Sequence, residues 1–222
     1  MEKLEIIKNN VWFIADLHLL HKNILQHQPQ RIEAMGLKGQ DDIEGHDQYI
    51  VDMWLNTVKR NDHVYVLGDF ILSNQQKSIM MLHKLKSNGC HIHLIVGNHD
   101  QSTQKLRNMF DSVDMMKVVD FKKTNYPFLD NDICMVMIHY PMKSWPRKPY
   151  GSICCHGHTH DNSPWEHSDT ELQLNLGLDA KMSQYKLISL EQINDWYKTK
   201  LNGLSPREYV DKITKEDPTF IR

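Results

Sequence analysis

The chain has 222 residues, enough to bury a sizeable core in one domain, and its 40% hydrophobic and 24% charged residues are those of an ordinary globular protein. A formal net charge of −2 gives no global field for duplex DNA or an anionic membrane, so strong duplex nucleic-acid binding is not expected and any phosphate-seeking chemistry must rest on local charge. The start, MEKLEIIKNN, is charged and lacks the apolar core of a signal peptide, and no run approaches about 18 apolar residues, so a cytoplasmic chain with no membrane partner is expected. Cys90, Cys134, Cys154 and Cys155 have no CxxC spacing and read as reduced, packed thiols.

In chain order, short apolar runs alternate with helical patterns, which predicts an α/β fold. VWFIAD (11–16) is the first run. The stretch 26–45, with a proline, three glycines and the acidic DDIEG, reads as a long exposed loop. DQYIVDMWLNTVKR (47–60) sets Ile50, Met53, Trp54 and Val58 at helical spacing. HVYVLGD (63–69) is the second run, and QQKSIMMLHKLKSNG follows as a helix with Ile79, Met80, Leu82 and Leu85 inward and Gly89 as its stop. HIHLIVGN (91–98) is the third run, with a short helix near STQKLRNMF. The second half reads as strands: KVVDFKKT, DICMVMIHY, GSICCHGHTH, ELQLNLGLD and YKLISL. SLEQINDWYKTK and SPREYVDKITKE close the chain as helices, the second opened by Ser205, Pro206 and Glu208 in a capping-box pattern. Residues 1–200 are expected to form one domain and 201–222 a helical tail packed on it or extending from it.

The placement of polar residues carries the function. In CCHGHTH, an extended backbone would project His156, His158 and His160 to one side, which suggests metal, although such a spacing alone is also an ordinary surface or core feature. Elsewhere, VWFIAD ends in Asp16 with His18 two residues on; VYVLGD ends in Asp69; Asn98 and His99 follow IHLIVG; His139 follows ICMVMI. Five apolar strands thus deliver nitrogen or oxygen donors at their carboxyl ends, where ligands of open α/β sheets bind. Glycines directly before Asp69, Asn98 and His158 permit sharp turns and close approach.

DLH, LGD, GNHD, the histidine of IHYP and HGHTH, in this order over positions 16–160, resemble the calcineurin-like metallophosphoesterases. DLHLLHKNI, WLNTVKRNDHVYVLGDF and LNLGLDA are similar to a small bacterial and phage branch of that family. The resemblance implies a four-layer α/β/β/α sandwich, two mixed sheets flanked by helices, with two divalent metal ions at the carboxyl edge. It implies Asp16, His18, Asp69 and His160 around one ion and Asp69, Asn98, His139 and His158 around the other, with His99 assisting catalysis. Many members carry an acid a few residues after the GD motif to pair with that histidine; GDFILS has none, leaving Asp100 or another group for the role.

The chemistry agrees. Two divalent ions, Asp16, Asp69 and a bridging hydroxide leave about one formal positive charge, which suits a phosphate ester. Asp69 is the natural bridge, because a carboxylate has two oxygens to share between cations roughly 3.5 to 4 Å apart. Mixed oxygen and imidazole donors without thiolate point to Mn first, with Fe, Ni or Zn as alternatives. His99, beside Asn98, is placed to protonate a leaving oxygen or hold the phosphoryl group.

The other histidines sort by distance. At about 3.3 Å per residue, His93 lies roughly 17 Å from Asn98, so His91 and His93, and likewise His63, read as ordinary strand residues. His83 flanks the core from a helix, and His156 either supports a ligand or packs, with packing preferred. His21 and Asn23 either reach substrate or cap a loop, and Asp100 either orients His99 or caps a helix, the cap preferred. HYPMKSWPRKPYGS must pass near the site and offers Lys143, Arg147 and Lys148 for phosphate, with Trp145 and Tyr150 for stacking on a base; equally, it is a proline-braced loop whose aromatics cover the core. The expectation is a phosphodiesterase acting on a small nucleotide or other organic diester. A phosphomonoesterase or nuclease using the same site, or a non-catalytic scaffold, are the alternatives.

Overall fold

Alternation of apolar side chains sets the first sheet between two cores. In the computed structural model, which describes residues 10–160 and 171–216, strands β1 (Val11–Ile14), β2 (His63–Val66), β3 (His91–Ile95) and β4 (Ser112–Asp114) run parallel. Phe13, Tyr65 and Ile95 turn to one face, and Ile14, Val64, Val66, Ile92 and Leu94 to the other. The second face meets helices α3 (Ile43–Thr57) and α4 (Gln75–Leu85) through Ile50, Val51, Trp54, Leu82 and Leu85, all of them buried. Each helix starts on a side-chain cap: Asp42 accepts from Gly45 N at 3.1 Å and Asn74 from Lys77 N at 3.0 Å.

The first face packs on a second sheet of β5 (Met116–Phe121), β6 (Ile133–Ile138), β7 (Ile153–His156) and β8 (Gln173–Asn175), in which β5 is antiparallel to β6 and the others are parallel. A short strand, β9 (Ile188–Ser189), joins β1 antiparallel, so both sheets are mixed and helices flank them, as expected. Helices α5 (Leu190–Leu201) and α6 (Pro206–Glu216) add Ile193, Tyr197, Tyr209, Val210 and Ile213 to the core shared by the sheets. Both open on capping boxes, Ser189 with Gln192 and Ser205 with Glu208. No helix among the described residues is long and apolar enough to cross a membrane. The four cysteines are free thiols.

The structure corrects several expectations, and Met80 of α4, expected inward, is exposed. The stretch 26–45 is not a long exposed loop: helices α1 (Ile24–His27) and α2 (Gln30–Ala34) occupy part of it, α3 begins at Ile43, and Arg31 is wholly buried. Its polar composition hid this because the partner that permits Arg31 to be buried lies 148 residues away. Nor does strand alternation align the three histidines of HGHTH. The strand ends at His156, and His158 and His160 adopt left-handed φ values of 71° and 52°.

Candidate metal centre

The carboxyl ends of β1, β2, β3, β6 and β7 meet at one edge of the sandwich. Asp16, His18 and His160 bring one ligand atom each within 4.8 Å of one another, and Asp69, His139 and His158 do the same. Asn98 joins the second group, its Oδ1 2.9 Å from His139 Nε2 and 3.1 Å from His158 Nδ1. Asp69 lies between the groups, with Oδ2 3.6 Å from His18 Nε2 and 3.5 Å from His139 Nε2. Five of these residues, Asp16, His18, Asp69, His158 and His160, have φ between 50° and 71°. Non-glycine residues rarely adopt that region, and its strain persists only where surrounding contacts enforce it.

Those contacts are specific. A Cβ at Gly68, whose φ is +93°, would run into the His139 ring, and one at Gly97 would overlap the Asp69 carboxylate. Both glycines therefore serve close approach, and Gly68 also supplies a turn that side chains disfavour. Asp100 is buried, and its oxygens accept from Asp69 N (2.8 Å), Gly97 N (2.8 Å) and Phe70 N (3.0 Å), clamping the ends of β2 and β3 together. It is thus neither the helix cap preferred from sequence nor an orienting acid for His99, because backbone amides occupy it. Asp69 Oδ1 accepts from His99 N at 2.9 Å, and His158 N donates to both Asp16 oxygens at 3.0 and 2.9 Å. His139 donates Nδ1–H to Leu67 O at 2.8 Å, which aims Nε2 into the centre.

The electrostatics suit a cation. Burial pushes the Asp16 carboxyl up to about 6 despite the nearby imidazoles. Burial, then the charge of Arg31, pulls His18 down to about 2, and both His18 ring nitrogens are buried with no hydrogen-bond partner. Burial would raise Asp69 and lower His139, but their mutual hydrogen bonding and charge attraction overcome it, holding Asp69 at about 2 and His139 at about 8. Buried carboxylates together with imidazole nitrogens that lack a hydrogen-bond partner form a donor set that fits a divalent ion.

At the rim, the exposed His99 ring stands 5.4 Å from His18 and 6.1 Å from His21. His21 Nδ1 is buried without a partner, and exposed Asn23 makes no side-chain cap bond at the start of α1. Tyr140 packs 4.5 Å from His158. In segment 141–150 the structure favours the core-covering alternative for Trp145. Trp145 is buried, its Nε1 donating to Ser152 and one face covered by Lys148 Nζ at 4.3 Å, so it is not open for stacking on a base. Arg147 is paired with Asp120 at 2.7 Å, buried Lys148 donates to Lys143 O and pairs with Glu171, and Lys143 and Tyr150 are exposed. His156 is packed, 1% exposed, with Nδ1 on Gly157 O. His63 of β2 stacks across to His91 and His93 of β3, with His63 Nδ1 2.9 Å from His93 Nε2.

Four polar residues at the centre were missed: Arg31, His46, Asp47 and Asp179. Asp179 had a legible signal, since LNLGLD ends in Gly-x-Asp after an apolar run much as VYVLGD ends in Gly-Asp. The other three had none.

Two packed mixed sheets carry a carboxylate- and imidazole-lined carboxyl edge with two groups of side chains that could hold metal. The chain belongs to the calcineurin-like phosphoesterase superfamily, whose domain model matches residues 10–187. It is therefore a hydrolase of phosphoric esters. Among relatives, it is 25% identical over 205 residues to the Gene 66 protein of Mycobacterium phage L5, covering 84% of this chain and 93% of that one. It is 29% identical over 189 residues to an uncharacterised protein of Methanocaldococcus jannaschii, covering 82% and 88%. A crystal structure of an Aquifex aeolicus protein of unknown function shares the fold, with TM-score 0.63 and 24% identity over 85% of this chain and 99% of that one.

Proposed function

We propose that the protein is a phosphodiesterase with two divalent ions, acting on a small nucleotide or another organic phosphodiester in the cytoplasm. The observation that supports the two-ion part of this reading is the position of Asp69 Oδ2, about equally far from an imidazole of each ligand group. A carboxylate so placed has one side for each of two cations. Asp16, His18 and His160 would hold the first ion with Asp69, and Asn98, His139 and His158 the second. Mn is the preferred ion, with Fe, Ni or Zn as alternatives, since the donors are oxygen and imidazole without thiolate.

Such a pair of ions supplies positive charge for phosphoryl oxygens and acidifies water at neutral pH. The chain's own residues do the rest. The Asp100 clamp and the glycine contacts fix the ligand loops before substrate arrives, so little reorganisation is needed during reaction. His99, exposed at the rim with its backbone tied to Asp69, donates a proton to the leaving oxygen from its ring. His21 and Asn23 line the approach and hydrogen-bond the phosphoryl or ester oxygens. Exposed Lys143 would attract phosphate from the 141–150 segment.

The test is hydrolysis of bis(p-nitrophenyl) phosphate against p-nitrophenyl phosphate by Mn-loaded protein. A higher kcat/KM on the diester is expected; a marked preference for the monoester would reassign the protein as a phosphatase. A panel of nucleotides, cyclic nucleotides and short oligonucleotides then narrows the substrate.

A further inference from the structure

Arg31 is fully buried, and each of its five N–H groups has a partner. Nε and Nη2 form a fork onto Asp179 at 2.7 and 2.5 Å. Nη2 also donates to Asp16 O at 2.8 Å, while Nη1 donates to Leu17 O at 3.3 Å and reaches His46 Nε2 at 3.0 Å. From His46 the network continues to Asp47 at 3.0 Å, whose oxygens accept from Leu20 N. From Asp179 it reaches His160 Nδ1 at 2.7 Å. Apart from the link to His46, the guanidinium bonds only the loop carrying Asp16 and His18, or the carboxylate that holds His160. Asp16, His18 and Leu20 all have left-handed φ, of 56°, 50° and 64°, so this loop needs outside contacts to keep its shape.

A buried ion pair is poor evidence for stability, because apolar side chains of similar volume often serve the fold as well. Its geometry is better evidence for a role at the site. We propose that the Arg31–Asp179 pair is a positioning device for the ion site of Asp16, His18 and His160. Asp179 takes the His160 Nδ1–H and leaves Nε2 bare as the ligand atom. The Arg31 fork keeps Asp179 from turning to bind the ion itself and fixes the Asp16–His18 loop at its carbonyls. The residues act through the ligands and touch no substrate. The inference rests on the two-ion reading above.

The test starts from calorimetric titration of metal-free wild-type chain with Mn²⁺, with bound metal counted by mass spectrometry. Fewer than two ions would overturn the two-ion reading and this proposal with it. If two bind, the double variant Arg31→Met/Asp179→Leu removes both charges together. It is expected to melt within a few degrees of wild type, to bind one ion about 10- to 100-fold more weakly, and to leave the other unchanged. A folded double variant with wild-type affinity for both ions would overturn the proposal alone. Asp62→Ala provides the control: Asp62 holds Asn10 N, Trp12 Nε1 and Lys59 N at the opposite end of β1, so its loss should lower the melting temperature and spare both affinities. An equal loss of ion affinity in Asp62→Ala would reduce the effect to general destabilisation and overturn the proposal. Should the double variant not fold, ¹⁵N NMR of metal-free wild type decides: His160 protonated at Nδ1 with bare Nε2 is expected, and an Nε2–H tautomer refutes the role.

Discussion

Replacing Asp69 with asparagine removes one charge with little change of shape. Asn keeps an oxygen to accept from His99 N, now at 2.9 Å, and the Asp100 clamp on the residue's own N–H is untouched. The new amide nitrogen, however, takes the place of the Oδ2 that faces His18 and His139 at 3.6 and 3.5 Å, and points donors where the two proposed ions would sit. A unit charge about 4 Å from another, at an effective dielectric of about 20, is worth about 4 kcal/mol, or roughly 10³ in affinity. Each divalent ion is therefore expected to bind at least about 10³-fold more weakly, and hydrolysis should vanish at micromolar metal. The metal-free variant should still fold, since a loss of about 1 kcal/mol moves the melting temperature of a chain this size by only about 2 to 4 °C. Calorimetric titration with Mn²⁺, bound-metal analysis and bis(p-nitrophenyl) phosphate assays measure all three. An Asp69→Asn chain that keeps both ions at wild-type affinity would refute the bridging role and the reasoning from charge.

His99→Ala should retain both ions while kcat falls by about 10² to 10⁴; unchanged turnover would remove His99 from the mechanism. Trp145→Ala should destabilise the fold by about 3 to 5 kcal/mol in urea denaturation, because its buried ring fills the core, and the ratio of diester to monoester rates should stay constant. A change in that ratio at intact stability would restore Trp145 to substrate recognition. His93 bears on pH: burial, then the neighbouring His63, pulls its imidazole down to about 4. Its folded value lies below the unfolded one near 6.5, so the neutral ring's contribution is complete above about pH 6.5 and is lost as pH falls towards 4. After discounting for partial exposure, the loss is about 1 to 2 kcal/mol. His93→Gln should flatten the stability profile over that window relative to wild type, and parallel profiles would contradict the assignment.

Much was legible because the relevant physics is local. Apolar runs ending in Asp16, Asp69, Asn98 and His139 identified strands and the edge where donors collect, and that edge is where the structure gathers them. Capping at Ser205 and Glu208 was equally readable, since its partners lie three residues apart. Where a reading failed or stayed open, the packing that decided it is a property of the folded chain and not of a residue pattern. For Trp145 the sequence left stacking and core-covering equally open until the fold enclosed it with Ser152 and Lys148, and Asp100 looked like a helix cap until the loop after β2 supplied two amides and Gly97 a third.

By itself the sequence determined the α/β class and which side chains can donate to metal, because donor chemistry and strand periodicity are properties of residues and their neighbours; the two-sheet plan came with the resemblance its motifs carry. Only the tertiary structure decided how those donors are aimed. Left-handed turns at Asp16, His18, Asp69, His158 and His160, and the burial of Arg31 against Asp179, depend on contacts between segments up to 148 residues apart. A buried charge is tolerable only when its partner arrives with the fold, and no local pattern encodes that arrival.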